Sequence, residues 1–115
     1  MAQHNFLLTY SVDAKTKIGR DKADKVRGEI AKIEKWNKLT NVETTFKGSV
    51  TVAETSSGLL RGILPERIKN MAITAVKNEF MTILVVNQAE EADVIIHCAM
   101  MVTGAGEAFE FEVSN

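Results

Sequence analysis

The pair His97-Cys98 is the first place to look for chemistry, because imidazole and thiolate groups act as metal ligands and as base and nucleophile. Adjacent residues of a strand point to opposite faces of a sheet, so these two side chains are badly placed to share an ion or a substrate. The chain has one cysteine and two histidines, without a CxxC or HExxH spacing. We therefore expect no metal site, and we interpret His97 as a structural or partnered histidine.

The sequence Thr103-Gly104-Ala105-Gly106 contains the glycines of a phosphate-binding loop. It lacks the GK[ST] ending, and no helix is predicted after it to receive an anion at its N-terminus. We interpret this segment as the turn of a hairpin, in which glycine supplies a positive φ.

Basic side chains are concentrated around the first predicted loop and the start of the first predicted helix. Such groups, next to the free N–H groups of a helix N-terminus, can hold the phosphates of RNA or DNA. Acidic residues are interleaved with them, and no exposed aromatic pair offers a surface on which bases would stack. The candidate nucleic-acid-binding residues are Lys15, Lys17, Arg20, Lys22, Lys25 and Arg27.

Three carboxylates, Asp13, Glu43 and Glu54, flank the strands that we place near the centre of the sheet. One aspartate from each of two subunits can contribute to a magnesium site on a two-fold axis. A single aspartate at a strand end more often caps a turn or a helix. Asp13 is therefore a catalytic candidate only if the protein is a metal-dependent nuclease; otherwise no cofactor is expected.

Two hydrophobic periods indicate the elements that position these residues. Alternation of apolar and polar residues, or a short apolar run, predicts strands at residues 5–12, 41–54, 80–87, 94–102 and 108–113. Spacings of three and four predict one helix over residues 21–38, with Asp21 as N-cap, and a second that begins near Pro65. Lys47-Gly48 could be a hairpin turn, but the even-numbered apolar phase continues across it, which favours one long strand.

This order of elements predicts an α+β sandwich, with a mostly antiparallel sheet, two helices on one face and a C-terminal β-hairpin. The ferredoxin-like arrangement is the simplest topology that uses these elements. A chain of 115 residues with 45% hydrophobic and 25% charged residues is expected to fold as one domain, residues 1–115. The single cysteine, the absence of a signal peptide and the lack of a long apolar run predict a soluble, cytoplasmic protein without membrane association.

Charge is distributed unevenly along the chain, although the net charge is only −1. Lysine and arginine predominate in residues 1–57, and acidic residues predominate in residues 58–115. This asymmetry could steer a polyanion to one side of the molecule or let two copies dock head to tail. We favour ordinary surface variation as the explanation.

The sequence Leu-Leu-Thr-Tyr-Ser-Val at residues 7–12, the lysine-rich loop, the segment Trp-Asn-Lys-Leu at residues 36–39 and the strand that follows resemble a known superfamily. It comprises the small ferredoxin-like CRISPR-associated nucleases and antitoxin endoribonucleases, and the resemblance covers residues 5–54. In that family the first strand commonly ends in Tyr-Asp, and the aspartate lies at a metal site between two subunits. Here Tyr10 is followed by Ser11, so that aspartate is missing unless Asp13 replaces it.

We therefore expect a non-catalytic interaction or regulatory protein, such as a bacterial or phage accessory factor or antitoxin. It would form a homodimer through sheet edges and bind a macromolecular partner, either protein or nucleic acid. The alternative is a metal-dependent endoribonuclease or deoxyribonuclease, in which Asp13 binds Mg²⁺ and nearby basic residues hold phosphates. A small-molecule pocket lined by Tyr10, Trp36 and methionines stays open as a third interpretation.

Overall fold

The structure is a computed structural model that describes residues 2–41, 44–52 and 65–115. Along the chain, its strands and helices alternate and end in a β-hairpin. The elements are β1 (Ala2–Ala14), α1 (Lys17–Ala31), β2 (Asn37–Lys38), β3 (Thr45–Val52), α2 (Pro65–Val86), β4 (Val94–Val102) and β5 (Phe109–Val113).

The strands form one five-stranded sheet in the order β2-β3-β1-β4-β5, and all neighbouring pairs are antiparallel. Strands β1 and β2 are both antiparallel to β3, so α1 connects two parallel strands that have β3 between them. Likewise α2 connects β3 to β4, which lie on either side of β1. The predicted α+β class, with an antiparallel sheet and two helices, is confirmed.

The core lies between the helices and the face of the sheet formed by even-numbered residues of β1, β3 and β4. In the central row Leu8 lies between Phe46 of β3 and Met100 of β4, and all three are almost fully buried. Both helices add residues spaced by three or four to the same cluster. Those residues are Ala23, Val26 and Ile30 of α1 and Ile68, Ala72, Val76, Phe80 and Leu84 of α2.

Strand β3 runs straight through Gly48, so the alternative of a hairpin turn at Lys47-Gly48 is wrong. Lys47 and Gly48 pair with Leu7 and Phe6 of β1. A Cβ atom at residue 48 would lie 2.6 Å from the Phe6 ring and 2.7 Å from the Trp36 ring. Glycine is therefore required there by close packing of aromatic rings. The strand begins at Thr45, later than predicted, and residues 42, 43, 53 and 54 lie outside the described residues.

Helix α1 begins four residues before the predicted N-cap Asp21 and ends before Trp36. Thr16 is the N-cap: its hydroxyl oxygen accepts a hydrogen bond from the Gly19 N–H at 2.9 Å. The first turn packs closely against the residue before β4, so that a Cβ atom on Gly19 would overlap the Asp93 carbonyl oxygen. Trp36 lies in the loop after the helix, and its side chain is buried against other aromatic rings.

The strand predicted at residues 80–87 is wrong, because α2 continues through this segment to Val86. Phe80 and Leu84, four residues apart, are completely buried, whereas Val85 is 54% exposed. This burial has the helical period that the uniformly apolar sequence conceals. No helix in the described part of the chain is long and apolar enough to cross a membrane.

Candidate interaction surface on the open sheet face

The helices cover one face of the sheet, and no described helix or strand covers the centre of the other. We call this second surface the open face. It is formed by odd-numbered residues of β1, β3 and β4 and by even-numbered residues of β5, because paired residues point to the same side. Its chemistry therefore follows directly from the strand register.

The centre of the open face is apolar. Leu7 of β1 and Met101 of β4 are register partners, and they are 43% and 59% exposed. A shallow pocket of about 430 Å³ lies beside them. It is lined by Leu7, Thr9, Thr45, Ala99, Met100, Met101 and Ala108. Exposed apolar groups at the middle of a sheet are typical of a surface that is covered in a complex.

Charges of opposite sign lie on opposite sides of this apolar centre. Lys47 of β3 is the register partner of Leu7, on the β2 side of the sheet. Glu110 and Glu112 of β5 pair with Ala99 and His97, on the other side. All three charged side chains are exposed. Around the level of Leu7, the open face thus has a lysine on one side, an apolar middle and glutamates on the other side.

His97 and Asp13 come together on the same face. The His97 Nε2 atom lies 3.7 Å from an Asp13 carboxylate oxygen, and its Nδ1 atom lies 3.4 Å from a Glu112 carboxylate oxygen. Asp13 also lies 3.9 Å from the Lys15 ammonium. Among the described residues no hydrogen bond joins His97 to its register partner Ser11, so a serine nucleophile with a histidine base is not assembled.

Metal-ligating side chains do not converge in residues 2–41, 44–52 and 65–115, where no group of three or more His, Cys, Asp or Glu side chains is placed to hold an ion. Glu43 and Glu54, the other two carboxylates considered from the sequence, lie outside these residues. Cys98 points to the helix-covered side and is 4% exposed. Burial raises the pKa of its thiol to about 12, which keeps it protonated and unreactive.

The hairpin interpretation of Thr103-Gly104-Ala105-Gly106 is confirmed. Gly104 and Gly106 both have φ of 88°, and strand β5, rather than a helix, follows. The His4 Nδ1 atom lies 2.9 Å from the Thr103 carbonyl oxygen and donates a hydrogen bond to it. This contact ties the turn to the beginning of β1.

The six basic candidates lie on α1 or in the loop before it, away from the apolar centre of the open face. Three have acidic neighbours: Lys15 lies near Asp13, Lys22 near Asp93 and Arg27 near Asp24. Lys22 and Arg27 also donate to backbone carbonyl oxygens. The other three, Lys17, Arg20 and Lys25, are exposed and have no ion pair within the described residues.

Comparison with known proteins gives no family for this chain: no family model matches it, and no curated protein or solved structure is significantly similar.

The open face is the feature that the sequence analysis did not identify. Leu7 and Met101 occupy the odd phase of strands whose even phase forms the core. An apolar residue in the exposed phase was the available signal.

Proposed function

We propose that this protein is a non-catalytic interaction or regulatory protein, and that the open face of its sheet is the surface that binds a macromolecular partner. The observation that carries the proposal is the exposure of Leu7 and Met101, side by side at the centre of the sheet. Burying apolar side chains contributes about 25 cal/mol per Å². A partner that covers this centre therefore gains affinity from it.

We extend the proposal to the fold, as a ferredoxin-like arrangement with one added edge strand. The order β2-β3-β1-β4 and the two connections of parallel strands through α1 and α2 support this assignment. Strand β5 extends the sheet beyond β4. In such an arrangement one face is available for binding because both helices lie on the other.

A test of the binding surface compares two substitutions at equally exposed apolar residues. Leu7→Asp changes the open face, and Met71→Asp changes α2, where Met71 is 42% exposed. The wild type and both variants are immobilised and exposed to an extract of the native host. We expect a partner retained by the wild type and by Met71→Asp to be lost with Leu7→Asp. Retention of that partner by a folded Leu7→Asp variant would contradict the proposal.

The nuclease alternative is tested separately, because Asp13 is half exposed at the end of β1 and lies near Lys15. Labelled RNA and DNA are incubated with the protein and magnesium or manganese, beside an Asp13→Ala control. We expect no cleavage above that of buffer with metal. Cleavage by the wild type that is lost in Asp13→Ala would replace the non-catalytic proposal by the enzyme.

A further inference from the structure

We infer that the occupant of the open face is a second copy of this chain, packed sheet against sheet, with a two-fold axis parallel to β1. This inference rests on the proposed function only in using the same surface. The charges of the open face indicate both this partner and its orientation.

The charge pattern across the strands is self-complementary. Lys47 lies on one side of the apolar centre, and Glu110 and Glu112 lie on the other. A two-fold axis parallel to the strands places the β3 side of one copy over the β4 and β5 side of the second copy. Such an axis preserves position along the strands, so each Lys47 lies only about two residues, or about 7 Å, along the strand from Glu110 of the second copy. The two long side chains can span this offset, and the interaction is made twice.

The other symmetric orientation is unfavourable. A two-fold axis in the plane of the interface but perpendicular to the strands places β3 over β3 and β5 over β5. Lys47 then stays over β3 and the glutamates stay over β5, so no contact between opposite charges forms, and Lys47 faces Lys47 where the axis passes at its level. Only the strand-parallel axis brings Lys47 and Glu110 together across the interface, so this pair favours that axis.

The size of the open face is adequate for a dimer. Five strands spaced by about 4.8 Å, with about 3.4 Å per residue along each, give a face of roughly 20 by 30 Å. Its projected area is about 600 Å² per copy, or about 1,200 Å² for two copies, which is the lower limit of a standard interface. Leu7 and Met101 lie on β1 and β4, next to the axis, so these apolar groups would be buried at the centre.

A dimer through the β5 edge, one form of the sheet-edge dimer expected from the sequence, is disfavoured by the same glutamates. Antiparallel pairing of β5 with a second β5, centred on Glu110, Phe111 or Glu112, places glutamate directly opposite glutamate. Charged residues on an edge strand are a known protection against such pairing. The face therefore offers a better self-association surface than the β5 edge.

Charge reversal tests the inference by sedimentation equilibrium at micromolar concentration. We expect a dimer for the wild type, and a dissociation constant raised by about tenfold or more in Lys47→Glu and in Glu110→Lys/Glu112→Lys. The triple variant, which exchanges the two signs, should recover tight dimerisation. Lys77→Glu on the exposed side of α2 is the matched control and should dimerise as the wild type does.

Two results would overturn the inference: a strictly monomeric wild type, or a dimer that Lys47→Glu, the glutamate reversals and Met101→Asp all leave unchanged. A triple variant that stays monomeric while folded would overturn the proposed orientation. These failures are distinct from failure of the proposed function. A monomer that still loses its host partner through Leu7→Asp overturns the second copy as occupant and supports the binding surface.

Discussion

The environment of Cys98 gives a pH dependence that belongs to a single residue. Burial raises the pKa of its thiol from 9.0 to about 12. Between these values the unfolded thiol has lost its proton and the folded thiol has kept it, so the folded state binds more protons. The free energy of unfolding must therefore fall as the pH rises from about 9 toward 12.

We predict that Cys98→Ala reduces this loss of stability at high pH. Relative to the variant, the wild type should lose up to about 1.4 kcal/mol of unfolding free energy per pH unit above pH 9. Urea unfolding of both proteins at a series of pH values measures the difference, and other titrating groups cancel because both proteins contain them. Parallel stability curves, or rapid alkylation of the native thiol at neutral pH, would contradict the prediction.

Individual residues were predictable from the sequence where the deciding information was local. The glycine turn at residues 103–106 and the helix-covered orientation of Cys98 follow from turn chemistry and from the alternation along one strand. The contact between His97 and Asp13 does not, because it depends on the register of β1 against β4. Register joins residues more than eighty positions apart, and no local pattern specifies it.

At the scale of elements, α2 is the main correction to the sequence prediction. In residues 80–87 nearly every position is apolar, so the sequence shows no hydrophobic period there, and its β-branched residues favoured a strand. Tertiary contacts decide the conformation, because Phe80 and Leu84 both reach the core from one side of a continuous helix. Tertiary contacts also accompany the choice of N-cap in α1. Thr16 and Asp21 are both good N-caps, and the helix begins after Thr16, where Gly19 closely approaches Asp93.

We predict that two neighbouring apolar residues of α2 differ strongly in their contribution to stability. Leu84→Ala should lower the free energy of unfolding by about 2–5 kcal/mol, because it leaves a cavity in the core. Val85→Ala should change it by less than about 0.5 kcal/mol, because this side chain is mostly exposed. Urea unfolding measures both values. Equal losses would argue against the helical burial pattern in this segment.

For the whole molecule, the order in which two-residue strand periods and three-to-four-residue helix periods follow each other was sufficient to predict the α+β class. Each period specifies one kind of element, and their order leaves few ways to layer helices on a sheet. Apolar residues such as Leu7 in the second phase of these strands were a signal of the open face, but their exposure depends on where α1 and α2 pack, which the sequence does not specify. Among the described residues, the core forms one cluster with contributions from both helices and from β1, β3, β4 and β5.

Trp36 provides a probe of that cluster. It is the only tryptophan, it is buried, and its ring contacts Phe6 of β1, Phe46 of β3 and Phe80 of α2 at centroid distances of 5.6, 5.7 and 6.1 Å. Its fluorescence therefore reports the packing of two strands and a helix, whereas far-ultraviolet circular dichroism reports mainly the two helices. In a single cooperative unit both signals must change together.

We predict coincident urea transitions by the two probes at any one protein concentration. If two copies pack through their open faces, unfolding also separates them, so the transition midpoint should rise with protein concentration. The Lys47→Glu variant should show coincident probes and a midpoint that depends less on concentration. A fluorescence change that precedes the loss of helical signal would contradict the single cooperative core, because the strands around Trp36 would then separate while the helices persist. A midpoint independent of concentration in the wild type would instead leave that core intact and remove the second copy from the folded state.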